Sequence, residues 1–249
     1  MIELRLVGIG TGNPDHLTRA AMRALNEADL VLLPRKGAAK VALLEVRRVI
    51  CAEVLTRPVP LVEFDLPVRD ASGAYLDGVQ DWHEAIARAW AREIAAHLPG
   101  GGRVAVMVWG DPSLYDSSLR IAARLGAGGM DLRVSVVPGI TSLSVLTAAH
   151  AIALNTLGAP VVITTGRQLR DRGWPEGTDS VAVMLDSGTA FEVIEDSRVH
   201  IWWGAYLGMP QQALVAGPLA KAGAQITALR AQLRARHGWI MDIYLLRRS

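Results

Sequence analysis

The sequence predicts an α/β protein of two domains, with a mainly parallel sheet in the first and a mixed sheet in the second. Three observations carry this. An apolar, largely β-branched run, Val104-Ala105-Val106-Met107-Val108-Trp109, stops at Gly110-Asp111-Pro112; a buried strand that ends so must turn sharply, because Gly110 accepts unusual dihedrals and Pro112 steers Asp111 away from helix. Strand-like and helix-like patterns alternate through the first half, as in a parallel sheet with crossover helices. Beyond about residue 143 the strand patterns come at closer intervals, as a mixed sheet requires. The expected domains are residues 1–140 and 141–249, with 138–150 acting as a hinge.

Taken in order, Ile2 to Ile9 alternates and then becomes wholly apolar, the mark of a strand entering the middle of a sheet. It runs into Gly8-Ile9-Gly10-Thr11-Gly12-Asn13-Pro14-Asp15, whose alternate glycines leave backbone N–H groups to face an anion or a planar ligand. A helix is expected over His16–Ala28, with Leu17, Ala21, Leu25 and Ala28 on one face, then a strand Leu30–Leu33. A second helix runs from Gly37 to about Val54, with Val41, Leu44 and Val49 in its pattern and Cys51 in the core. Pro58, Pro60 and Pro67 bracket an extended Leu61–Phe64, and the polar stretch 68–78 is the expected lip of a cleft. Val79, Trp82, Ile86, Trp90, Ile94 and Leu98 then sit at helical spacing, which makes the tryptophans core residues. After the Gly-Asp-Pro strand come a helix with Leu119, Ala122 and Ala123 and a strand Leu132–Val137. Strands at 160–165, 180–185, 199–203, 214–217 and 239–246, with a helix over Lys221–Arg236, make up the second domain.

Composition narrows the function. The chain has 249 residues, a net charge of +2 and a fifth of its residues charged, so neither a nucleic-acid footprint nor an acidic tail is indicated. One cysteine excludes an internal disulfide framework. No signal-peptide pattern precedes the first strand and no apolar run reaches a membrane span, so the expectation is a cytoplasmic protein without membrane partners. The dinucleotide fingerprint would need glycine at position 13, where Asn stands, and an acidic residue after the second strand, where Pro34-Arg35-Lys36 follows. A Walker lysine is absent too.

Val7-Gly8-Ile9-Gly10-Thr11-Gly12-Asn13-Pro14-Asp15, Gly110-Asp111-Pro112 and Val137-Pro138-Gly139-Ile140-Thr141-Ser142, in this order, resemble the tetrapyrrole methyltransferases. The later Met184-Leu185-Asp186, Trp202-Trp203-Gly204-Ala205-Tyr206 and His237-Gly238-Trp239-Ile240-Met241-Asp242 are similar to the deacetylating branch of that family, in aerobic cobalamin biosynthesis. The resemblance implies S-adenosylmethionine as methyl donor, with S-adenosylhomocysteine as product, in a cleft between two α/β domains, no metal, and a homodimer. It implies a donor site of Pro14, Gly110, Asp111, Pro112, Thr141, Ser142 and Leu185, with Tyr115, Met184 and Trp202 as neighbours. Gly8, Gly10 and Gly12 would then lie toward the tetrapyrrole.

The same resemblance implies that an acetyl group on a ring carbon is hydrated and cleaved off as acetate, after which that carbon takes the methyl group. Methyl transfer from a sulfonium depends chiefly on alignment, whereas deacetylation needs a base and oxyanion donors. Asp15, His16, Asp111 and His83 are the candidate bases; Tyr75 or the glycine-loop N–H groups are the candidate oxyanion donors. Arg35, Lys36, Lys40 and Arg69 follow strand ends and are candidates for the substrate carboxylates, with Arg167, Arg170 and Arg172 on a loop closing from the other side. The rival readings are a different precorrin C-methyltransferase and a non-catalytic tetrapyrrole-binding protein.

Overall fold

The computed structural model describes residues 1–35, 41–68 and 75–248. The chain divides into two compact units, Met1–Thr141 and Ser142–Ser249.

In the first unit β1 (Ile2–Gly8), α1 (Arg19–Glu27), β2 (Leu30–Arg35), α2 (Val41–Val54), β3 (Leu61–Asp65), α3 (Tyr75–His97), β4 (Gly102–Val108), α4 (Ser118–Ala127) and β5 (Leu132–Val137) follow one another. The strands lie in the order β3-β2-β4-β1-β5, and every neighbouring pair is parallel. Leu4, Leu6, Leu32, Val104 and Val106 pack against Ile86, Trp90 and Ile94 of α3 and Ile121 and Leu125 of α4. Val7, Val31, Leu33, Ala105 and Met107, alternating with them, pack against Ala21 and Leu25 of α1 and Leu44, Ile50 and Cys51 of α2. Helices on both faces explain why the central strands are apolar throughout. From β1 the chain crosses over β4 to reach β2, and from β4 it crosses over β1 to reach β5. The loops after β1 and β4 therefore depart in opposite directions, and the crevice so opened at the carboxyl edge is where open α/β sheets bind ligands.

Local departures from the sequence pattern have local causes. The expected helix at His16 begins instead at Arg19, because Thr18 is extended and its hydroxyl accepts the Ala21 N–H at 3.0 Å. Pro14–His16 forms a separate 3-10 turn, with the Asn13 side chain accepting the Asp15 N–H at 3.0 Å. β2 runs on through Pro34, which lies beyond the stretch paired with β4 and has only β3 beside it. On α2 the core face is Leu43, Leu44, Arg47, Ile50, Cys51 and Val54, and Val49 points outward. Trp90 is buried, and Trp82 packs on the same core while its indole N–H donates to the Pro67 carbonyl at 2.7 Å.

The second unit runs α5 (Ser142–His150), β6 (Val161–Thr165), α6 (Gly166–Arg172), β7 (Ser180–Met184), β8 (Val199–Ala205), β9 (Ala213–Pro218), α7 (Leu219–His237) and β10 (Asp242–Arg248). Its sheet has the order β6-β7-β10-β8-β9; β6 and β7 are parallel, the other pairs antiparallel. The expected hinge at 138–150 is a helix from Ser142, since Leu143, Val145 and Leu146 are buried and the helix packs on β8, β9 and β10. The arginine loop after β6 is likewise a short helix, capped by the Thr165 hydroxyl on the Gln168 N–H. α7 stops at Gly238, which adopts a left-handed φ of 73° and donates its N–H to the Arg234 carbonyl.

Candidate active site

Three loops meet at the carboxyl edge of the parallel sheet, following the neighbouring strands β4, β1 and β5. Gly10 and Gly110 exchange backbone hydrogen bonds, the Gly110 N–H to the Gly10 carbonyl at 2.7 Å and the Gly10 N–H to the Gly110 carbonyl at 3.3 Å. Gly8 has no space for a side chain: a Cβ there would lie 2.6 Å from the Gly139 nitrogen and 2.8 Å from the Gly110 oxygen. A Cβ on Gly139 would overlap the Gly110 carbonyl. The Asp111 carboxylate completes the junction, accepting the Gly139 N–H at 2.9 Å on one oxygen and the Ser113 N–H (2.8 Å) and hydroxyl (2.5 Å) on the other. Burial pushes this carboxyl up, but the Ser113 hydroxyl and the Gly139 and Ser113 N–H groups outweigh it and hold it below the ordinary carboxylate range.

Gly110 differs from its two glycine neighbours. It has a left-handed φ of 62°, yet a Cβ placed on it would meet nothing nearer than the Thr141 Cα at 3.9 Å. The loops are locked together on one side and bare at this α-carbon on the other. An open, side-chain-free patch at a topological switch point fits a flat or folded small molecule held close to backbone.

The remaining candidates of the first unit separate clearly. His16 lies against Gly10, and its Nδ1 is 3.0 Å from the Thr11 hydroxyl, which is itself buried. Asp15 is exposed on the turn that Pro14 opens. Tyr115 has a φ of 50° and is well exposed, and Pro112 is buried. The glycine loop does not offer the free donors expected of it at every position: the Gly10 N–H is taken by Gly110, and Gly8 is filled in by Gly139. Gly12 keeps a positive φ of 100°. Asp111, with both oxygens committed and its carboxyl lowered, is a poor base. His83 is buried on α3, where burial and then Arg124 and Arg120 push its imidazole down, with Asp116 opposing. The Arg35 guanidinium is engaged by Asp65 on the adjacent strand, at 3.0 and 3.1 Å, so a ligand carboxylate would have to displace that partner. Lys36, Lys40, Arg69 and the Tyr75 side chain lie outside the described residues.

In the second unit, Met184 ends β7 and Leu185 follows with a φ of 51° and 64% of its surface exposed. Asp186, next in the chain, is buried, and its carboxylate accepts the Gly188 N–H (3.0 Å), the Ala190 N–H (2.8 Å), the Tyr244 hydroxyl (2.8 Å) and the Arg170 guanidinium (3.4 Å). The Asp186 carbonyl accepts from Arg230 at 2.9 Å; Arg230 also pairs with Asp242 at 2.9 Å, which takes the Trp203 indole N–H at 2.9 Å. Burial holds the Asp242 carboxyl above its usual range despite Arg230. Asp186, Trp203 and Asp242 stand in the family-like stretches of the sequence, but Arg230 and Tyr244 do not, and no spacing among the five shows that they meet. The Trp202 ring stacks at 4.3 Å on His200, and Arg247 lies over it. Of the three arginines on α6, Arg170 reaches Asp186. Among the described residues no three His, Cys, Asp or Glu side chains gather as a metal site, and no helix is long and apolar enough to cross a membrane.

A doubly wound parallel sheet with a glycine-lined switch point, joined in one chain to a mixed five-stranded sheet, defines a small-molecule enzyme of the α/β class. The chain belongs to the Tetrapyrrole (Corrin/Porphyrin) Methylases, whose sequence pattern matches residues 3–223. It is 47% identical, over all of its own length and 96% of the other's, to precorrin-6A synthase [deacetylating] of a Sinorhizobium species. A solved cobalamin synthesis related protein of Corynebacterium diphtheriae superposes with a TM-score of 0.83 at 37% identity, covering 100% of this chain and 99% of that one. The uroporphyrin-III C-methyl transferase of Thermus thermophilus, solved in complex with S-adenosyl homocysteine, shares the fold at 21% identity, with a TM-score of 0.60 over 98% of this chain and 91% of its own.

Proposed function

We propose that this chain methylates precorrin-5 at C1 with loss of the acetyl group as acetate, giving precorrin-6A in aerobic cobalamin biosynthesis. The observation that carries the reading is the end-to-end 47% identity with the Sinorhizobium precorrin-6A synthase, and the bare Gly110 loop is where the chemistry has room. Bound S-adenosylmethionine supplies an electrophilic sulfonium methyl and leaves as S-adenosylhomocysteine. In this reading the backbone about Gly110, with Pro14, Pro112, Tyr115 and Thr141, serves the donor from the first unit, and Ser142, Met184 and Leu185 serve it from the second. Asp111 acts by fixing the loop. A substitution at Gly110 would fill the bare patch, whereas Gly8 and Gly139 are glycines for the protein's own packing.

For deacetylation His16 is the favoured proton carrier. With Nδ1 held by the Thr11 hydroxyl, Nε2 is the ring atom left to take a proton from water as it adds to the acetyl carbonyl. A carboxylate-fringed macrocycle would draw on Arg35 at the expense of Asp65, and on Lys36, Arg69 and the α6 arginines. A cytoplasmic homodimer is part of the same reading.

The test is incubation of the purified protein with precorrin-5 and S-adenosylmethionine. Acetate and S-adenosylhomocysteine are expected in equal amounts. Methyl transfer without acetate would make it a different precorrin C-methyltransferase, and tetrapyrrole binding without any affinity for S-adenosylhomocysteine would make it a carrier.

A further inference from the structure

Leu185 is an exposed apolar residue held in the left-handed region, a conformation unfavourable for any non-glycine side chain, and next to it in the chain stands a buried carboxylate with four partners. We infer that the Asp186–Tyr244–Arg230–Asp242 network is a positioning device that keeps Leu185 in this conformation for the methyl donor, an inference that rests on the proposed donor site at Leu185. Strain of this kind persists only where surrounding structure over-determines it, and here the restraints converge on one residue. The carboxylate of Asp186 is tied on the chain's far side to Gly188 and Ala190, which fixes the turn after Leu185. Tyr244 on β10 anchors that carboxylate to the sheet, and burial keeps the phenol protonated as a donor. Arg230 on α7 grips the Asp186 main-chain carbonyl, which holds the Asp186–Ser187 peptide one residue beyond Leu185. Asp242 and Trp203 in turn hold the Arg230 guanidinium. Gly166 closes the arrangement from α6, since any Cβ there would overlap the Asp186 side chain. Bonds from α6, α7 and β10 thus fix the residue that follows Leu185, and none of these side chains needs to touch the donor.

The experiment is a pair of calorimetric titrations, with S-adenosylhomocysteine and with uroporphyrin as a carboxylate-rich macrocycle, on the unaltered protein, Tyr244→Phe, Leu185→Gly and the double variant. Tyr244→Phe removes one hydroxyl from the network and is expected to weaken S-adenosylhomocysteine about tenfold to a hundredfold, the worth of one hydrogen bond to a charged group, with uroporphyrin unchanged. In the Leu185→Gly background the same change should have almost no effect, because glycine holds a positive φ without restraint. If Tyr244→Phe does not yield folded protein, Arg230→Lys, which keeps the cation but cannot bond both Asp242 and the Asp186 carbonyl, is read the same way. Unchanged S-adenosylhomocysteine affinity in these variants, equal weakening of both ligands, or the same loss with glycine at position 185 overturns the inference. The underlying reading fails separately: the unaltered protein would take up no S-adenosylhomocysteine, or Leu185→Asp would bind it undiminished.

Discussion

Gly10 and Gly110 close a two-bond backbone bridge between the loops that leave β1 and β4, and the glycines around this bridge differ in function. Gly8 and Gly139 pack against each other and against the Gly110 carbonyl, whereas a Cβ on Gly110 would meet only the Thr141 α-carbon at 3.9 Å.

Gly110→Val and Gly139→Ala should therefore fail in different ways. Gly110→Val meets no wall, so the protein folds at a cost of about 1–3 kcal/mol for its left-handed backbone, and loses S-adenosylhomocysteine binding because the side chain occupies the bare patch. Gly139→Ala forces β5 away from β1 and should lower the thermal midpoint sharply before any ligand is added. Melting curves and ligand titrations on both variants check this; unchanged ligand affinity in folded Gly110→Val would make that loop purely structural.

Asp111 gives the junction a pH signature. Its folded-state pKa is lowered, so the ionised carboxylate contributes stability that is complete above the unfolded value of about 3.9 and is lost as pH falls through the folded value. Asp111→Asn should be less stable than the unaltered chain at pH 7, and the difference should close in strong acid. Urea midpoints measured at pH 7 and near the acid limit of folding test it, and a pH-independent gap would show that the loop is held by other bonds.

Arg230 and Asp242 form a pair with both side chains nearly excluded from water. Arg230→Met leaves the carboxylate buried with the Trp203 indole as its remaining donor, a loss expected to be about 3–5 kcal/mol. Burial raises the folded-state pKa of Asp242, so folding favours its protonated form. The variant should regain part of its stability as pH falls toward that pKa, whereas the charged form penalises it as pH rises. Denaturant midpoints over the range from neutral to mildly acid pH decide the matter, and a loss that does not shrink on acidification would point to packing as its cause.

Thr18 is the cap that moves the start of α1. Thr18→Ala removes the acceptor of the Ala21 N–H and should cost about 1 kcal/mol, read as a lower urea midpoint with an unchanged slope. Thr18→Ser should restore most of it; a Ser variant as unstable as the Ala one would mean that the methyl group, not the hydroxyl, is what matters.

Arg47 is 4% exposed on the core face of α2, with its guanidinium 5.2 Å from the Trp109 ring and its Nε unpartnered among the described residues. Burial lowers its pKa to about 10, with Asp116 opposing. A bond to the Leu43 carbonyl and the indole face offset only part of the desolvation. Arg47→Met should therefore leave the thermal midpoint unchanged or raise it, and a clear drop would reveal a counter-charge in the native loop.

Periodicity and turn chemistry act within a few residues, and the sequence by itself determined what depends on them: the buried strands β1 and β4, the helical tryptophans of α3, the turn at Gly110-Asp111-Pro112, and through the glycine motifs the family. What decided the rest is contact between residues distant in the chain. Leu143, Val145 and Leu146 read equally as linker or helix until the sheet buries them in α5. Whether a glycine is bare, as Gly110 is, or packed shut, as Gly8 is, depends on which other strand's loop lies against it. Arg35 looks available until β3 brings Asp65 beside it. Asp186, Arg230, Asp242 and Tyr244 carry no mutual spacing at all, because a buried hydrogen-bond network is specified by the third dimension, where Arg170 of α6 and Tyr244 of β10 meet the Asp186 carboxylate and Arg230 of α7 meets its main-chain carbonyl.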